Sequence, residues 1–137
     1  MEYIENQLFY EEYTALRTSV GWNNFDENQA RACVDGGLYS IVARENGETV
    51  AMGRLIGDGM YFLIVDVVVR PEYQQKGIGS HIINCLLEYV ENHTPEGGRS
   101  SVQLIAEKGK EEFYTKMGFK LIPHEFCGSG MRKVIRK

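Results

Sequence analysis

One apolar run constrains the fold more strongly than any other part of this chain of 137 residues. The run is Tyr61–Val69, and its only charged residue is Asp66. Successive side chains of a strand point to opposite faces of the sheet, so a strand with one face in water alternates apolar with polar residues. A run that is apolar on both faces therefore predicts a central strand covered on both sides, with one buried charge.

Patterns of helical and strand period on either side of this run predict the other elements. Before it we expect a weak strand, two helices and two strands, over residues 3–8, 9–20, 26–34, 38–43 and 49–56. After it we expect a helix, a strand, a short helix and a closing pair of strands, over residues 78–90, 102–106, 111–117, 119–122 and 131–135. This order predicts an α/β fold in which helices pack on a mixed sheet.

Turn and cap residues support three of these boundaries. Asn46-Gly47 separates two strand patterns, and both residues accept the positive φ that a two-residue hairpin turn requires. Asp26 is the predicted N-cap of the second helix, and Gly118 is the predicted C′ residue of the short helix.

Composition indicates one ordinary globular domain over residues 1–137. About 43% of the residues are apolar and 25% are charged, which is typical of such domains. No apolar run is long enough to cross a bilayer. The three cysteines, Cys33, Cys85 and Cys127, have neither metal-site nor disulfide spacing. We therefore expect buried or partly buried free thiols, no metal and a cytoplasmic protein, either a monomer or a homodimer.

The charge is unevenly distributed. The formal net charge of −4 opposes a general nucleic-acid footprint. Residues 1–30 carry six carboxylates against the single basic residue Arg17, whereas four basic residues lie in residues 131–137. The basic end is interpreted as a solvated terminal strand, with contact to RNA or a phosphate as the alternative. We expect neither nucleic acid nor a membrane as a partner.

The segment after the central strand has the chemistry of an anion site. A turn marked by Pro71 leads into Gly77 and Gly79 at the start of the next helix. Glycine lets a ligand approach the backbone closely. The first N–H groups of a helix lack intrahelical acceptors, and the helix dipole is positive there. Such a loop can hold a pyrophosphate, with Lys76 and the Gln74 side chain as additional contacts.

Two motifs in this order resemble the GCN5-related N-acetyltransferase (GNAT) superfamily. The first is Val67-x-Val69-x-Pro71 followed by Gln74-x-x-Gly77-x-Gly79, and the second is Phe113-Tyr114-x-Lys116-x-Gly118-Phe119. The resemblance covers about residues 38–135. It implies a mostly antiparallel twisted sheet of six to seven strands, flanked by about four helices, with a parallel, splayed central strand pair. It also implies acetyl-CoA as the acyl donor and a small-molecule amine as the acceptor.

The resemblance assigns roles to individual residues. Backbone groups of Val67, Val68 and Val69 would pair with the pantetheine arm. Backbone N–H groups would hold the pyrophosphate, and they belong to Gln75, Lys76, Gly77, Ile78, Gly79 and Ser80. Tyr114 would donate a proton or a hydrogen bond to the leaving thiolate; packing alone is its alternative role. A phenol of pKa about 10 is a weaker acid than a thiol of pKa about 8.5, which favours hydrogen bonding.

The chain departs from the family pattern at two positions. Many members have Asn seven residues before this tyrosine and Ala four residues before it, where this chain has Glu107 and Lys110. Glu107 is a candidate base or an outward-facing charge, and Lys110 is a candidate phosphate contact or a solvated lysine. Asp66 is the other candidate base, because burial would raise its pKa. Its alternative role is an ion pair with Arg54 on the adjacent strand.

The acceptor region is predicted from its aromatic and charged residues. Trp22 and Phe25 lie among carboxylates, which suits a cationic amine, although a hydrophobic staple among solvated charges explains them equally well. With Arg54, they form the candidate substrate site. The segment Gly53–Gly59, with Asp66–Val69, also resembles bacterial aralkylamine acetyltransferases. Together with the aromatic and acidic residues, this predicts an arylalkylamine or a polyamine as the acceptor. An acetyl-CoA-binding sensor without catalysis is the alternative function.

Overall fold

The computed structural model describes residues 1–137, and the chain divides into two compact units. The first unit is Met1–Leu104 and the second is Ile105–Lys137. The first holds the whole sheet and three helices, and the second holds one short helix. No helix combines the length with the apolar composition that crossing a bilayer requires.

The sheet of the first unit has five strands. They are β1 Glu2–Glu5, β2 Tyr39–Glu45, β3 Glu48–Gly57, β4 Tyr61–Val69 and β5 Ser101–Leu104. Strands β1 to β4 pair in sequence order, all antiparallel, and β5 pairs with β4 in parallel. The mixed α/β sheet and its parallel pair are as expected, but the expected count of six to seven strands is wrong.

Helices cover both faces of the sheet, as the central run predicted. The three helices are α1 Tyr10–Ser19, α2 Glu27–Asp35 and α3 Ile78–His93. Met52 of β3 lies in a buried cluster with Leu16 of α1, whereas the next residue, Gly53, faces Ile82 of α3. Because neighbouring residues of a strand face opposite sides, α1 and α3 lie on opposite faces. The most buried side chains come from these layers.

The predicted turn and cap residues are confirmed. Asn46 and Gly47 have φ values of +51° and +80° in the β2–β3 hairpin. The Asp26 side chain accepts a hydrogen bond from the Gln29 N–H at 3.1 Å, capping α2. Gly118, at φ +96°, follows the short helix of the second unit.

Strand β4 has a bulge at Asp66. Arg54 pairs with Val65 and Met52 pairs with Val68, so Asp66 and Val67 both lie opposite Gly53. Asp66 has a φ of +54°, which is rare for a residue other than glycine. Pairing with β5 ends at Ile64, so the part of β4 beyond the bulge has no strand partner on that edge.

The second unit contains α4, Glu111–Thr115, and no strand. The closing strands expected over residues 119–122 and 131–135 are therefore wrong; the only pairing is an isolated bridge between His124 and Cys127. Leu121, Met131 and Ile135 are 62%, 95% and 78% exposed. A short apolar run is stable as a strand only where one of its faces is buried against other residues. These exposed side chains have no such buried face.

Candidate active site

The loop between β4 and α3 leaves a series of backbone N–H groups free. A 3₁₀ turn, Pro71–Tyr73, closes with a hydrogen bond from the Gln74 N–H to the Pro71 carbonyl. The first bond of α3 runs from the His81 N–H to the Gly77 carbonyl at 3.1 Å. The N–H groups of residues 78–80 therefore have no helical acceptor, and no side chain caps the helix.

The same loop has room for a ligand. Gln75 and Gly77 have left-handed φ values of +61° and +81°, a backbone form that gathers N–H groups into an anion-binding concavity. A Cβ built on Gly77 would meet no atom within 4 Å. The loop therefore fits the predicted pyrophosphate, which the dipole of α3 would also attract.

The two side chains expected to assist lie at the edges of this loop. Gln74 Nε2 donates to the Val69 carbonyl at 3.0 Å, holding the loop against the end of β4. Lys76 is exposed, and its Nζ lies 5.2 Å from the centroid of the Tyr73 ring.

The end of β4 offers one free strand edge. Val68 and Val69 pair with Met52 and Ala51 of β3 on one side, and β5 does not extend along the other. Backbone groups of a strand can hydrogen-bond an extended chain that lies beside them. Residues 67–69 therefore have an edge on which an extended chain could pair, and their contact with a pantetheine arm stays a prediction.

Asp66, at the bulge, accepts hydrogen bonds from three side chains. Arg17 Nη1 lies 2.5 Å from Oδ1, while the Tyr13 hydroxyl and Arg54 Nε lie 3.0 and 3.1 Å from Oδ2. The side chains of Arg17, Arg54 and Asp66 are only 11%, 12% and 9% exposed. The expected ion pair between Asp66 and Arg54 is confirmed, while the role of Asp66 as a base stays a prediction.

Burial of Tyr13 determines its protonation. Burial first, and the charge of Asp66 second, raise the pKa of the Tyr13 hydroxyl to about 12. The phenol therefore stays protonated at neutral pH and donates to Asp66. The sequence analysis did not assign Tyr13 to the site, although a buried tyrosine hydroxyl usually has a partner.

The rings of Trp22 and Phe25 both contact the guanidinium of Arg17, a cation that belongs to the protein. The Arg17 guanidinium lies 5.3 Å from the Trp22 ring centroid and 5.0 Å from that of Phe25. Sequence reasoning did not assign Arg17 to the site. The signal that could have found it is its position as the only basic residue in the acidic residues 1–30.

Tyr114 lies half-buried on α4 of the second unit, between Phe113 and Phe119, whose ring centroids are 5.0 and 5.9 Å from its own. Burial, and then the charge of Glu107, raise the pKa of its hydroxyl. It is therefore a neutral hydrogen-bond donor at physiological pH.

Glu107 and Lys110, the two departures from the family pattern, lie close together in the backbone. The Lys110 N–H donates to the Glu107 carbonyl at 2.9 Å, and both side chains are exposed. No group of three His, Cys, Asp or Glu side chains is placed to hold a metal ion.

Comparison with known sequences gives one family. The profile of the Acetyltransferase (GNAT) domain matches residues 9–135. An uncharacterized N-acetyltransferase of Pyropia yezoensis is 27% identical over 113 residues, which are 79% of this chain and 63% of that protein. The chain thus spans less than two-thirds of the length of the first curated relatives it matches.

Two solved structures are similar over nearly their whole length. A "probable acetyltransferase" of unknown function from meticillin-resistant Staphylococcus aureus is 28% identical with a TM-score of 0.84, covering 97% of this chain and 98% of that one. A GNAT family acetyltransferase of Streptococcus pneumoniae is 26% identical with a TM-score of 0.81, covering 99% and 98%.

Proposed function

Because this chain belongs to the acetyltransferase (GNAT) family, we propose that it transfers the acetyl group of acetyl-CoA to the primary amine of a small molecule. The observation that carries the proposal is the open, glycine-bearing N-terminus of α3, which directly follows the free edge of β4. The family profile spans both units, and we propose that they act as one domain.

The proposed donor site has two parts. Backbone groups of residues 67–69 would pair with the pantetheine amides, and the N–H groups of residues 75–80 would hold the pyrophosphate. Both parts use backbone atoms, so binding depends on loop conformation more than on side chains. The exposed Lys76 and Lys110 would add charge without fixing geometry.

The proposed reaction is direct attack. The neutral amine nitrogen attacks the thioester carbonyl, a C–N bond forms, and the C–S bond breaks. Tyr114 serves the departing thiolate. Its raised pKa makes it a poorer acid than a free phenol and keeps its hydrogen in place, so we assign it a hydrogen-bond donor role. Support for this role comes from the Phe113-Tyr114-x-Lys116-x-Gly118 motif.

A base must take the proton that the amine loses. An alkyl amine of pKa about 10.4 is mostly protonated at pH 7.4, and freeing it costs about 4 kcal/mol. Asp66 already accepts three hydrogen bonds, so a proton on its carboxylate would displace a donor. Glu107 and a chain of waters are the other candidates.

The sequence predicts an arylalkylamine or a polyamine as the acceptor, bound in part by cation–π attraction to Trp22 and Phe25. Both rings lie within 5.3 Å of the Arg17 guanidinium, and this charge would repel a second cation. The aromatic part of an arylalkylamine is compatible with these rings, whereas a polyamine is less well matched. Cys85 is half-buried, but Cys33 and Cys127 are exposed, so the expected burial of those two thiols is wrong. Three free thiols suit the bacterial cytoplasm proposed for this enzyme.

A test of the donor site compares two glycines with the same backbone strain. Gly77 and Gly47 have φ values of +81° and +80°, and a Cβ on either would meet open space. Leucine at either position should cost similar stability, since both must hold a left-handed φ. Acetyl-CoA at a hundredfold excess over its Kd should stabilise the wild type and Gly47→Leu by about 2.7 kcal/mol. Gly77→Leu should show no such gain, and an equal gain there would reject the pyrophosphate site.

The alternative is a sensor that binds acetyl-CoA without catalysis. It predicts the same stabilisation and the same loss in Gly77→Leu. Consumption of acetyl-CoA over a panel of amines distinguishes the two functions, because a sensor releases no thiol.

A further inference from the structure

Two arginines share one carboxylate at the bulge of β4. We call Arg17, Arg54 and Asp66 the arginine cluster. Asp66 is the only acidic side chain that pairs with either guanidinium, so two positive charges against one negative leave a net charge of +1. All three side chains are nearly buried. A buried charge without a partner is costly, so the cluster is short of one anion.

The hydrogen-bond donors of the cluster are also in excess. Arg17 Nε is buried and has no hydrogen-bond partner. Arg54 uses Nε on Asp66 and reaches the Cys33 carbonyl with Nη1 at a long 3.4 Å. Its Nη2 makes no hydrogen bond within the protein and is open to solvent, since Arg17 Nε is the only buried side-chain nitrogen or oxygen without a partner. Charge and donor count therefore agree that an acceptor with negative charge is missing.

The carboxylates of the nearby helices do not supply it. Glu11 and Glu27 both pair with Arg31, and Glu12 pairs with Arg44. The Asp26 carboxylate caps α2. Asp35, the last residue of α2, is exposed and makes no ion pair with either guanidinium. The arginine cluster therefore remains positive.

Arg54, although about as buried as Arg17, ends beside exposed backbone. Its Nη1 would lie 3.7 Å from a Cβ built on Gly37, and Gly36 and Gly37 are both exposed. The guanidinium therefore ends beside bare backbone after α2, with no side chain of those residues over it. Asp66 directly precedes residues 67–69, so an anion on Arg54 would lie near the proposed thioester site.

We propose that the acceptor amine carries an anionic group, a carboxylate or a phosphate, which binds the Arg54 guanidinium. The proposal rests on the function proposed above and names its substrate class. The planar guanidinium fork matches both anions in geometry and charge. The proposal replaces the expectation of a purely cationic acceptor. The net positive charge of the arginine cluster favours an acceptor that carries a negative group away from its amine, and the aromatic rings can contact the rest of the molecule.

Matched acceptors test the proposal on the wild-type protein. Amino acids are compared with their amides, and amino sugar phosphates with the free amino sugars, with kcat/KM corrected for the neutral amine fraction. Melting temperatures with CoA present give an independent binding readout. The anionic member of at least one pair should be favoured about tenfold or more, and the pair that responds identifies carboxylate or phosphate. Equal values, or preference for the uncharged members in both pairs, would overturn the proposal.

Variants locate the effect. Arg54→Gln should remove the preference, and Arg54→Lys should keep part of it, because charge remains without the fork. Arg31→Gln, at an exposed arginine, is the control and should keep the full preference. An undiminished preference in Arg54→Gln would overturn the assignment to Arg54.

Failure of the proposed function and failure of this proposal give different results. If no amine releases thiol, the proposed function fails, and the melting temperatures still decide whether an anion is preferred. If Arg54→Gln does not fold, Arg54→Lys and the wild-type pairs decide.

Discussion

Arg17 Nη1 lies 2.5 Å from Asp66 Oδ1 and thereby ties α1 to the bulge of β4. With Arg54 on the other carboxylate oxygen, the pair holds Asp66 at a φ of +54°. The bulge precedes the free strand edge, so this contact helps to position the proposed pantetheine site.

Asp66→Asn should destabilise the protein by about 3–5 kcal/mol, because it leaves two nearly buried guanidinium groups without a counter-charge. Urea denaturation measures the loss. The folded fraction should keep the acidic limb of its pH–rate profile if Asp66 is structural. Unchanged stability together with a flattened acidic limb would instead assign Asp66 as the base.

Tyr13→Phe removes the hydroxyl that donates to Asp66 at 3.0 Å. At neutral pH it should cost about 1.5–3 kcal/mol, the usual range for a hydrogen bond to a charged group.

The pH dependence of the Tyr13 contribution has a defined sign. The folded pKa is raised to about 12, so the contribution is complete below about pH 10, the pKa of a free phenol. As the pH rises from about 10 to about 12, Tyr13 loses its hydroxyl proton first in the unfolded chain, and the folded wild type therefore loses stability. Denaturation from pH 9 to 12 should show a steeper fall for the wild type than for Tyr13→Phe. Parallel curves would mean that the buried phenol is not linked to folding.

Gly53 has no room for a Cβ unless the side chains of α3 shift. A Cβ there would lie 2.6 Å from Ile82 Cγ2 and 3.2 Å from Leu86 Cδ1, so Gly53→Ala should cost about 1–3 kcal/mol through overpacking of β3 on α3. Gly128→Ala, where a Cβ meets nothing within 4 Å, is the matched control. Thermal melts of both variants measure the difference, and equal melting temperatures would show that α3 moves aside without cost.

Local signals predicted most of the first unit. The apolar run of β4, the Asn46-Gly47 turn and the Asp26 cap each depend on residues that are close in sequence. The ion pairs of Asp66 with Arg17 and Arg54 span 49 and 12 residues, and only the second was expected, because adjacent strands bring it together. Charge patterns in a single helix do not show which buried carboxylate an arginine will meet.

The wrong predictions have the same origin. Residues 119–122 and 131–135 have apolar patterns as strong as those of β1, but a strand also needs a neighbour for its backbone hydrogen bonds. Sequence periodicity gives no information on that neighbour. The roles of the loop and of Tyr114 came from motifs, and they stay predictions about chemistry.

Tyr114→Phe keeps the ring between Phe113 and Phe119 and should fold normally. Turnover should fall about 10²-fold if the hydroxyl serves the leaving thiolate, while the Kd for acetyl-CoA should barely change. Tyr61→Phe, at an exposed tyrosine, is the control and should keep full activity. Steady-state kinetics and binding measurements separate the two parameters, and full activity in Tyr114→Phe would make Tyr114 a packing residue.

Acetyl transfer itself is the central claim, and product formation by the wild-type protein tests it most directly. Free thiol released from acetyl-CoA is measured over a panel of primary amines, and mass spectrometry of the same mixtures identifies the acetylated amine. We predict that at least one amine releases thiol in equal amount to its N-acetyl product, at a rate that depends on both substrates. Tight binding of acetyl-CoA with no thiol release above the spontaneous rate for any amine would contradict the claim and favour a sensor.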